Sequence, residues 1–264
     1  MENLYIPKRA KILKIIKHTD KEWTFRVYAN SKDVRPGQFY EISMPKHGES
    51  PISVSGIGEN TLDFTIRAVG KVTDEIFKLE EGDNLLIRGP YGNGFDVNQY
   101  KDKEIIIVSG GSGLAPVRGI IEYFYNNYDE CKGLTLICGF RSPNDVLFVE
   151  DIRRYDDKMN VILTVDGADS NYDGNIGLVT KYIPELKIKN IDNVAGIVVG
   201  PPMMMKFAII ELQKLGIKDE DLWVSYERKM SCGLGKCGHC KMDSTYICVD
   251  GPVFNFSFGK TLYD

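Results

Sequence analysis

Near the C-terminus, Cys232, Cys237, Cys240 and Cys248 follow one another as C-x4-C-x2-C-x7-C. Two irons bridged by sulfide need four thiolates on a tightly curled segment, and this spacing provides them. Gly233, Gly235 and Gly238 lie between the first three cysteines. Lacking side chains, they let the backbone curl and aim N–H groups at the sulfurs. The expected chemistry is one-electron transfer through a [2Fe–2S] cluster.

Structural zinc also accepts four cysteines, usually as two C-x2-C knuckles, and only Cys237 and Cys240 form one here. A zinc-stapled binding module is therefore the alternative from another functional class. A Rieske centre needs two histidine ligands at its own spacing. Besides His239 the chain has only His18 and His47, so His239 reads as solvated. Six cysteines in 264 residues are too sparse for a disulfide framework, and Met1–Pro7 lacks the basic-then-apolar pattern of a secretory leader. A cytoplasmic protein is expected. Cys138, in the apolar run 134–138, reads as a buried core thiol. A net charge of −4 and a pI near 5.6 give no basic field for nucleic acid. The apolar runs are too short to span a bilayer.

A second chemical signal is Ile105-Ile106-Ile107-Val108-Ser109-Gly110-Gly111-Ser112-Gly113-Leu114-Ala115-Pro116. It reads as a buried strand, a glycine-rich turn and a helix start. A dinucleotide pyrophosphate fits such a turn, because glycines admit the phosphates to the backbone and a helix N-terminus supplies free N–H groups. The spacing is not G-x-G-x-x-G, so a purely structural turn stays open. Gly259-Lys260-Thr261 has no glycine five residues earlier and is no P-loop.

The elements that must position these segments change character near residue 100. Before it, apolar residues alternate, as in Trp23, Phe25, Val27 and in Leu62, Phe64, Ile66, separated by turn signals such as Arg35-Pro36-Gly37 and Gly89-Pro90-Tyr91-Gly92. This predicts an antiparallel β barrel. After it come continuous apolar strands, Ile105–Val108, Leu134–Cys138, Val161–Val165 and Ile197–Val199, with helix-length segments between. This predicts a doubly wound parallel-sheet α/β domain. Polar joints at 101–104 and 226–229 divide the chain into a barrel domain 1–100, an α/β domain 101–225 and a small cluster domain 226–264.

Gly110–Pro116, followed by Val199-Gly200-Pro201-Pro202-Met203, resembles the nicotinamide-binding half of the ferredoxin–NADP reductase superfamily. Arg35-Pro36-Gly37-Gln38-Phe39, Pro51-Ile52-Ser53 and Ile66-Arg67-Ala68-Val69-Gly70 resemble its flavin-binding barrel. With the cysteine loop and Asp250–Phe254, nearly the whole chain is similar to electron-transfer subunits of dihydroorotate dehydrogenases. Ser50–Ser55, Val69–Thr73, Tyr91–Gly94 and Tyr226–Met230 are similar to the B subunits of anaerobic sulfite reductases.

This resemblance implies FAD held by Pro51, Ile52, Ser53, Ile66, Arg67, Ala68, Gly70, Val72 and Thr73. It implies NADH held by Gly110, Gly111, Gly113, Ala115, Pro116, Arg141, Asp145, Gly200, Pro201, Pro202 and Met203. NADPH stays open, because Arg141 follows the second α/β strand, where a 2′-phosphate is read. Met203–Met205 otherwise read as core packing. The superfamily carries an Arg where this chain has Ser50, so Arg67 and backbone N–H groups around Gly70–Thr73 are expected to meet the flavin phosphates. No side chain is needed as nucleophile or base. Electrons would run from NADH through FAD and the cluster to partner subunits, an iron–sulfur and a sirohaem subunit of a sulfite reductase-like complex. A dihydroorotate dehydrogenase or a hydrogenase is the alternative acceptor.

Overall fold

The computed structural model describes residues 3–262. The chain divides into two compact units, Met1–Phe95 with Tyr226–Val253, and Asp96–Ser225 with Phe254–Asp264.

In the first unit, six strands close an antiparallel barrel: β1 (Lys8–Lys17), β2 (Glu22–Tyr28), β3 (Phe39–Met44), β4 (Gly48–Gly58), β5 (Thr61–Arg67) and β6 (Asn84–Tyr91), in the order β1-β2-β5-β4-β3-β6. Period-two alternation sends Phe25, Val27, Tyr40, Ile42, Leu62, Phe64 and Ile66 into one apolar core. Burying each such side chain contributes about 1.5–3 kcal/mol. The short helix α1 (Lys71–Ile76) adds Ile76 to that core. Its neighbour Phe77 stacks on Trp23 at 4.4 Å.

The second unit is built on strands β7 (Glu104–Gly110), β8 (Gly133–Phe140), β9 (Asn160–Val165), β10 (Asn175–Ile176), β11 (Val194–Val199) and β12 (Leu222–Ser225). All pair in parallel, in the order β10-β9-β8-β7-β11-β12. Every residue of β7 and β11 is buried, as the unbroken apolar runs require of a sheet covered on both faces. The connecting helices are α2 (Leu114–Asn126), α3 (Val149–Tyr155) and α4 (Pro202–Lys214). Helix α2 turns Val117, Ile120, Ile121 and Phe124 inward, a period near 3.6. Strand order reverses between β7 and β11, so the ends of these two strands flank a topological switch point, where α/β sheets bind ligands.

The cysteine segment carries a two-stranded hairpin, β13 (Lys241–Met242) with β14 (Thr245–Tyr246), then helix α5 (Ile247–Asp250) and strand β15 (Val253–Asn255), which ends the seven-stranded sheet beside β12. The sequence boundaries made residues 226–264 a separate appendage. In the structure this stretch is shared, with Tyr226–Val253 packing in one unit with the barrel and the residues after it joining the sheet. Asn93 shows why. Its Nδ2 donates to the carbonyls of Asp250 (3.0 Å) and Val253 (2.7 Å), and its Oδ1 accepts from the Val253 N–H (3.2 Å). Among the described residues, no helix is long and apolar enough to cross a membrane.

Candidate cofactor sites

The cysteine loop is organised around its sulfurs. Leu234 and Lys236 donate backbone N–H groups to Cys232 Sγ at 3.3 and 3.4 Å, and Gly235 donates to Cys248 Sγ at 3.3 Å. Gly233 makes the first bend at φ +70°, where a Cβ would stand 2.6 Å from the Tyr91 ring. This bears out the expectation that glycines aim N–H groups at sulfur. The thiols meet in two pairs, Cys232 with Cys237 and Cys240 with Cys248. Among the described residues no three His, Cys, Asp or Glu side chains close on one point for a single metal ion. Two pairs suit two irons, one pair to each. Cys232, Cys240 and Cys248 are buried, whereas Cys237 is exposed beside exposed Lys236 and His239. The Cys237 thiol is held below its usual range, chiefly by a backbone hydrogen bond from His239. Burial pushes Cys248 up to about 12, so its thiolate forms only against the charge of bound metal. The donor set fits a [2Fe–2S] cluster.

At the switch point, two sequence motifs ninety residues apart come together. A Cβ on Gly113 would lie 2.5 Å from the Val199 carbonyl oxygen and 2.7 Å from Gly200 Cα, and one on Gly200 would lie 3.0 Å from Gly110 N. Gly113 thus makes room for the chain itself. Gly111, at φ +53° with nothing within 4 Å of a built Cβ, is the glycine open to a ligand. Helix α2 follows with no side-chain cap, its Leu114 N–H already donating to the Gly111 carbonyl. The N–H groups at the start of the Gly111–Gly113 turn suit a phosphate. Ala115 and Pro116 are buried in its first turn. Just before the turn, Ser109 Oγ is fully buried with no hydrogen-bond partner among the described groups, as a site for a polar ligand allows.

Arg141 and Asp145 are exposed in the loop after β8, whose Gly139 registers with Gly110. Asp145 already accepts a hydrogen bond from Ser142 Oγ at 2.6 Å. Pro201, Pro202 and Met203 are exposed at the start of α4. Core packing for Met203–Met205 holds for Met205, at 4% exposure, and fails for Met203, at 61%, because Met203 opens the helix on its solvent side. Cys138 is fully buried, as expected of a core thiol, and Cys131 is buried too.

In the first unit, the β4–β5 ladder ends at Val54 opposite Phe64, leaving half-buried Pro51, Ile52 and Ser53 at the near end of β4. Ile66 is buried at the far end of β5, and Arg67 and Ala68 follow it. The loop then enters α1 through Gly70, with half-buried Val72 and buried Thr73 in its first turn. Two features differ from expectation. Arg67 Nε is already paired with Glu22 Oε1 at 3.0 Å, its cross-strand neighbour. The Gly70 N–H is taken as well, since Thr73 Oγ1 accepts from Val69 N (3.0 Å) and Gly70 N (3.1 Å). That leaves the N–H groups of Lys71–Thr73, which have no intrahelical acceptor in a first turn.

Sequence reasoning missed the polar cluster beneath the cysteine loop. Arg88, Glu49 and Glu41 lie on neighbouring strands β6, β4 and β3, with Glu41 opposite Arg88 in register. Arg88 reaches the carbonyls of Ser231 and Cys232, about which nothing local to strand β6 gives notice. Glu41 is fully buried, and neither of its oxygens has a hydrogen-bond partner among the described residues. Burial pushes its carboxyl up to about 7 against the lowering effect of Arg88.

Residues 107–209 match the family of oxidoreductase NAD-binding domains, and residues 227–257, which contain Cys232, Cys237, Cys240 and Cys248, match the iron–sulfur cluster binding domain of dihydroorotate dehydrogenase B. The sulfhydrogenase 1 gamma subunit of Pyrococcus furiosus is 34% identical over 97% of this chain and 92% of its own length. A probable dihydroorotate dehydrogenase B (NAD(+)) electron transfer subunit of the same organism is 35% identical over 90% of this chain and 92% of its own. A chain from the structure of an NADH-dependent reduced ferredoxin–NADP oxidoreductase superposes with a TM-score of 0.79 at 26% identity, covering 95% of this chain and 89% of that one. The NAD-binding domain, the iron–sulfur binding domain and the ferredoxin-reductase fold make NADH, FAD and a [2Fe–2S] cluster the cofactors of this oxidoreductase. The chain belongs to the ferredoxin–NADP reductase-like family, close to the electron-transfer subunits of dihydroorotate dehydrogenase B and the gamma subunits of sulfhydrogenases.

Proposed function

We propose that this chain is the NADH-oxidising entry subunit of a larger complex, delivering electrons singly to a partner through the cysteine loop. The observation that carries this reading is the cradle itself: paired thiols, N–H···S bonds, three ligands buried and Cys237 at the surface. Bound FAD exchanges two electrons with NADH and one at a time with an iron–sulfur cluster, which is the chemistry the protein must organise. Gly110, Gly111, Ala115 and Pro116 receive the pyrophosphate, and Gly113 holds that turn against Gly200. Arg141 and Asp145 read the ribose. Pro201, Pro202 and Met203 bound the nicotinamide. Pro51, Ile52 and Ser53 flank the flavin ring, with Ile66, Arg67, Ala68, Gly70, Val72 and Thr73 toward its phosphates. Lys236, His239 and Lys241 around the exposed ligand face an acidic partner surface. An NADH donor and cysteines used as cluster thiolates are in keeping with a cytoplasmic setting.

Three acceptors are candidates. The names of the full-length relatives favour a hydrogenase or a dihydroorotate dehydrogenase subunit. The motifs Ser50–Ser55 and Tyr226–Met230 favour the sirohaem subunit of a sulfite reductase. Sulfite reduction itself would lie in a partner, because a second four-thiolate cluster needs its own ligands and outside the loop only Cys131 and Cys138 remain, both buried. Purified chain should reduce an artificial dye with NADH, more slowly with NADPH, and should form no sulfide from sulfite. Assays with each candidate partner subunit added identify the acceptor. Sulfide formation by the chain alone, or failure of a flavin-loaded chain to reduce dye, would overturn this reading.

A further inference from the structure

Arg88 is the most heavily bonded side chain under the cysteine loop. Its five N–H donors meet five acceptors. Nε and Nη2 hold Glu49 Oε1 and Oε2 at 2.9 and 2.5 Å, Nη1 donates to Tyr91 OH at 3.0 Å and to the Cys232 carbonyl at 2.6 Å, and Nη2 donates to the Ser231 carbonyl at 2.6 Å. The side chain is only 4% exposed. A guanidinium is costly to bury, and one placed in this way is retained where its geometry or charge serves a purpose. Its planar fork ties barrel strand β6 to the backbone of the first cluster ligand.

The surrounding charges leave that cation in place. Glu49, its ion-pair partner, is 31% exposed and so partly solvated. Glu41, opposite Arg88 in the β3–β6 register, has its carboxyl pushed toward the neutral form by burial. A guanidinium is not deprotonated in proteins, so Arg88 stays charged. A positive charge buried beside a cluster favours its reduced form, which carries one more negative charge.

We propose that Arg88 is a positioning residue that fixes the cluster loop to the barrel through the Ser231 and Cys232 carbonyls and, by its buried charge, raises the reduction potential of the cluster. This rests on the reading of Cys232 as a ligand of a [2Fe–2S] cluster. It adds a determinant of the potential to that reading.

The test uses anaerobically purified full chain, with iron and sulfide analysis, the electron paramagnetic resonance spectrum of the reduced cluster, and its midpoint potential from a redox titration without NADH. Arg88→Gln should lower the potential and alter the spectrum. Arg88→Lys keeps the charge without the fork, so it should restore most of the potential while the spectrum stays altered. Glu49→Gln removes the counter-charge and should move the potential the other way, upward. A purely structural role predicts no such opposition of sign. Unmoved potentials in Arg88→Gln and Glu49→Gln, or shifts of the same sign, overturn the proposal. If Arg88→Gln loses its iron, Glu49→Gln decides alone: a rise supports the proposal and an unchanged potential refutes it. A parent chain without iron and sulfide refutes the cluster reading and the proposal with it, whereas a loaded parent with unmoved variants refutes only the role of Arg88.

Discussion

Gly113 and Gly200 pack backbone against backbone: a Cβ on Gly113 would stand 2.7 Å from Gly200 Cα and 2.5 Å from the Val199 carbonyl oxygen. Both obstacles are main chain and cannot rotate aside. Gly113→Ala should therefore lower the melting temperature, at an overpacking cost of about 1–3 kcal/mol, and weaken NADH binding as a consequence. Gly111→Ala meets open space and only an unfavourable φ of +53°. Its stability cost should be about 1–2 kcal/mol, with NADH affinity falling by more than the loss of fold explains. Thermal melts and nucleotide titrations on both variants check the contrast. Equal melting temperatures in Gly113→Ala and the parent would refute the packing role.

Replacing Cys240 with Ala should abolish cluster assembly, because Cys240 is 2% exposed and its thiol meets that of Cys248. The flavin spectrum should persist. Arg88 and Asn93 hold the segment by its carbonyls at 231, 232, 250 and 253, and these contacts need no cysteine side chain. Iron analysis beside the visible spectrum tests this, and stoichiometric zinc in the parent would contradict the iron assignment.

Glu41 makes stability depend on pH. Burial raises its pKa in the folded state from 4.5 to about 7. Stability from the neutral carboxyl is fully present below pH 4.5 and is lost as pH rises through about 7. Glu41→Gln keeps the shape and removes the titration. It should flatten the dependence over that window and make the protein more stable above pH 7 by on the order of 3 kcal/mol. Denaturant melts at several pH values measure it, and parallel curves for parent and variant would count against it.

Asn93→Ala removes the three hydrogen bonds that tie the barrel loop to Asp250 and Val253. Each backbone group left without a partner costs about 1–3 kcal/mol where water cannot replace it. Hydrogen exchange should accelerate across residues 226–253 while strands β2 and β5 keep their protection. Uniform acceleration throughout the barrel would mean that the clamp supports the whole unit and not that segment.

The amino-acid sequence by itself determined what depends on neighbours along the chain. Cysteine spacing and interleaved glycines dictate the N–H···S geometry at Cys232, since its donors Leu234 and Lys236 lie within the same loop. Period-two alternation at Phe25, Val27, Phe64 and Ile66 wrote the barrel, and the unbroken apolar runs at 105–108 and 197–199 wrote the parallel sheet. Tertiary structure alone decided what depends on chain-distant partners. Only folding sets Arg88 on carbonyls 143 and 144 residues away, buries Glu41 opposite it, and brings Gly113 onto Gly200. It also turned Arg67 to Glu22, a group that local sequence offered to a phosphate. The physical reason is that spacing specifies local backbone geometry, whereas the partner of a buried charge or a missing Cβ is chosen by whichever distant segment the core brings against it.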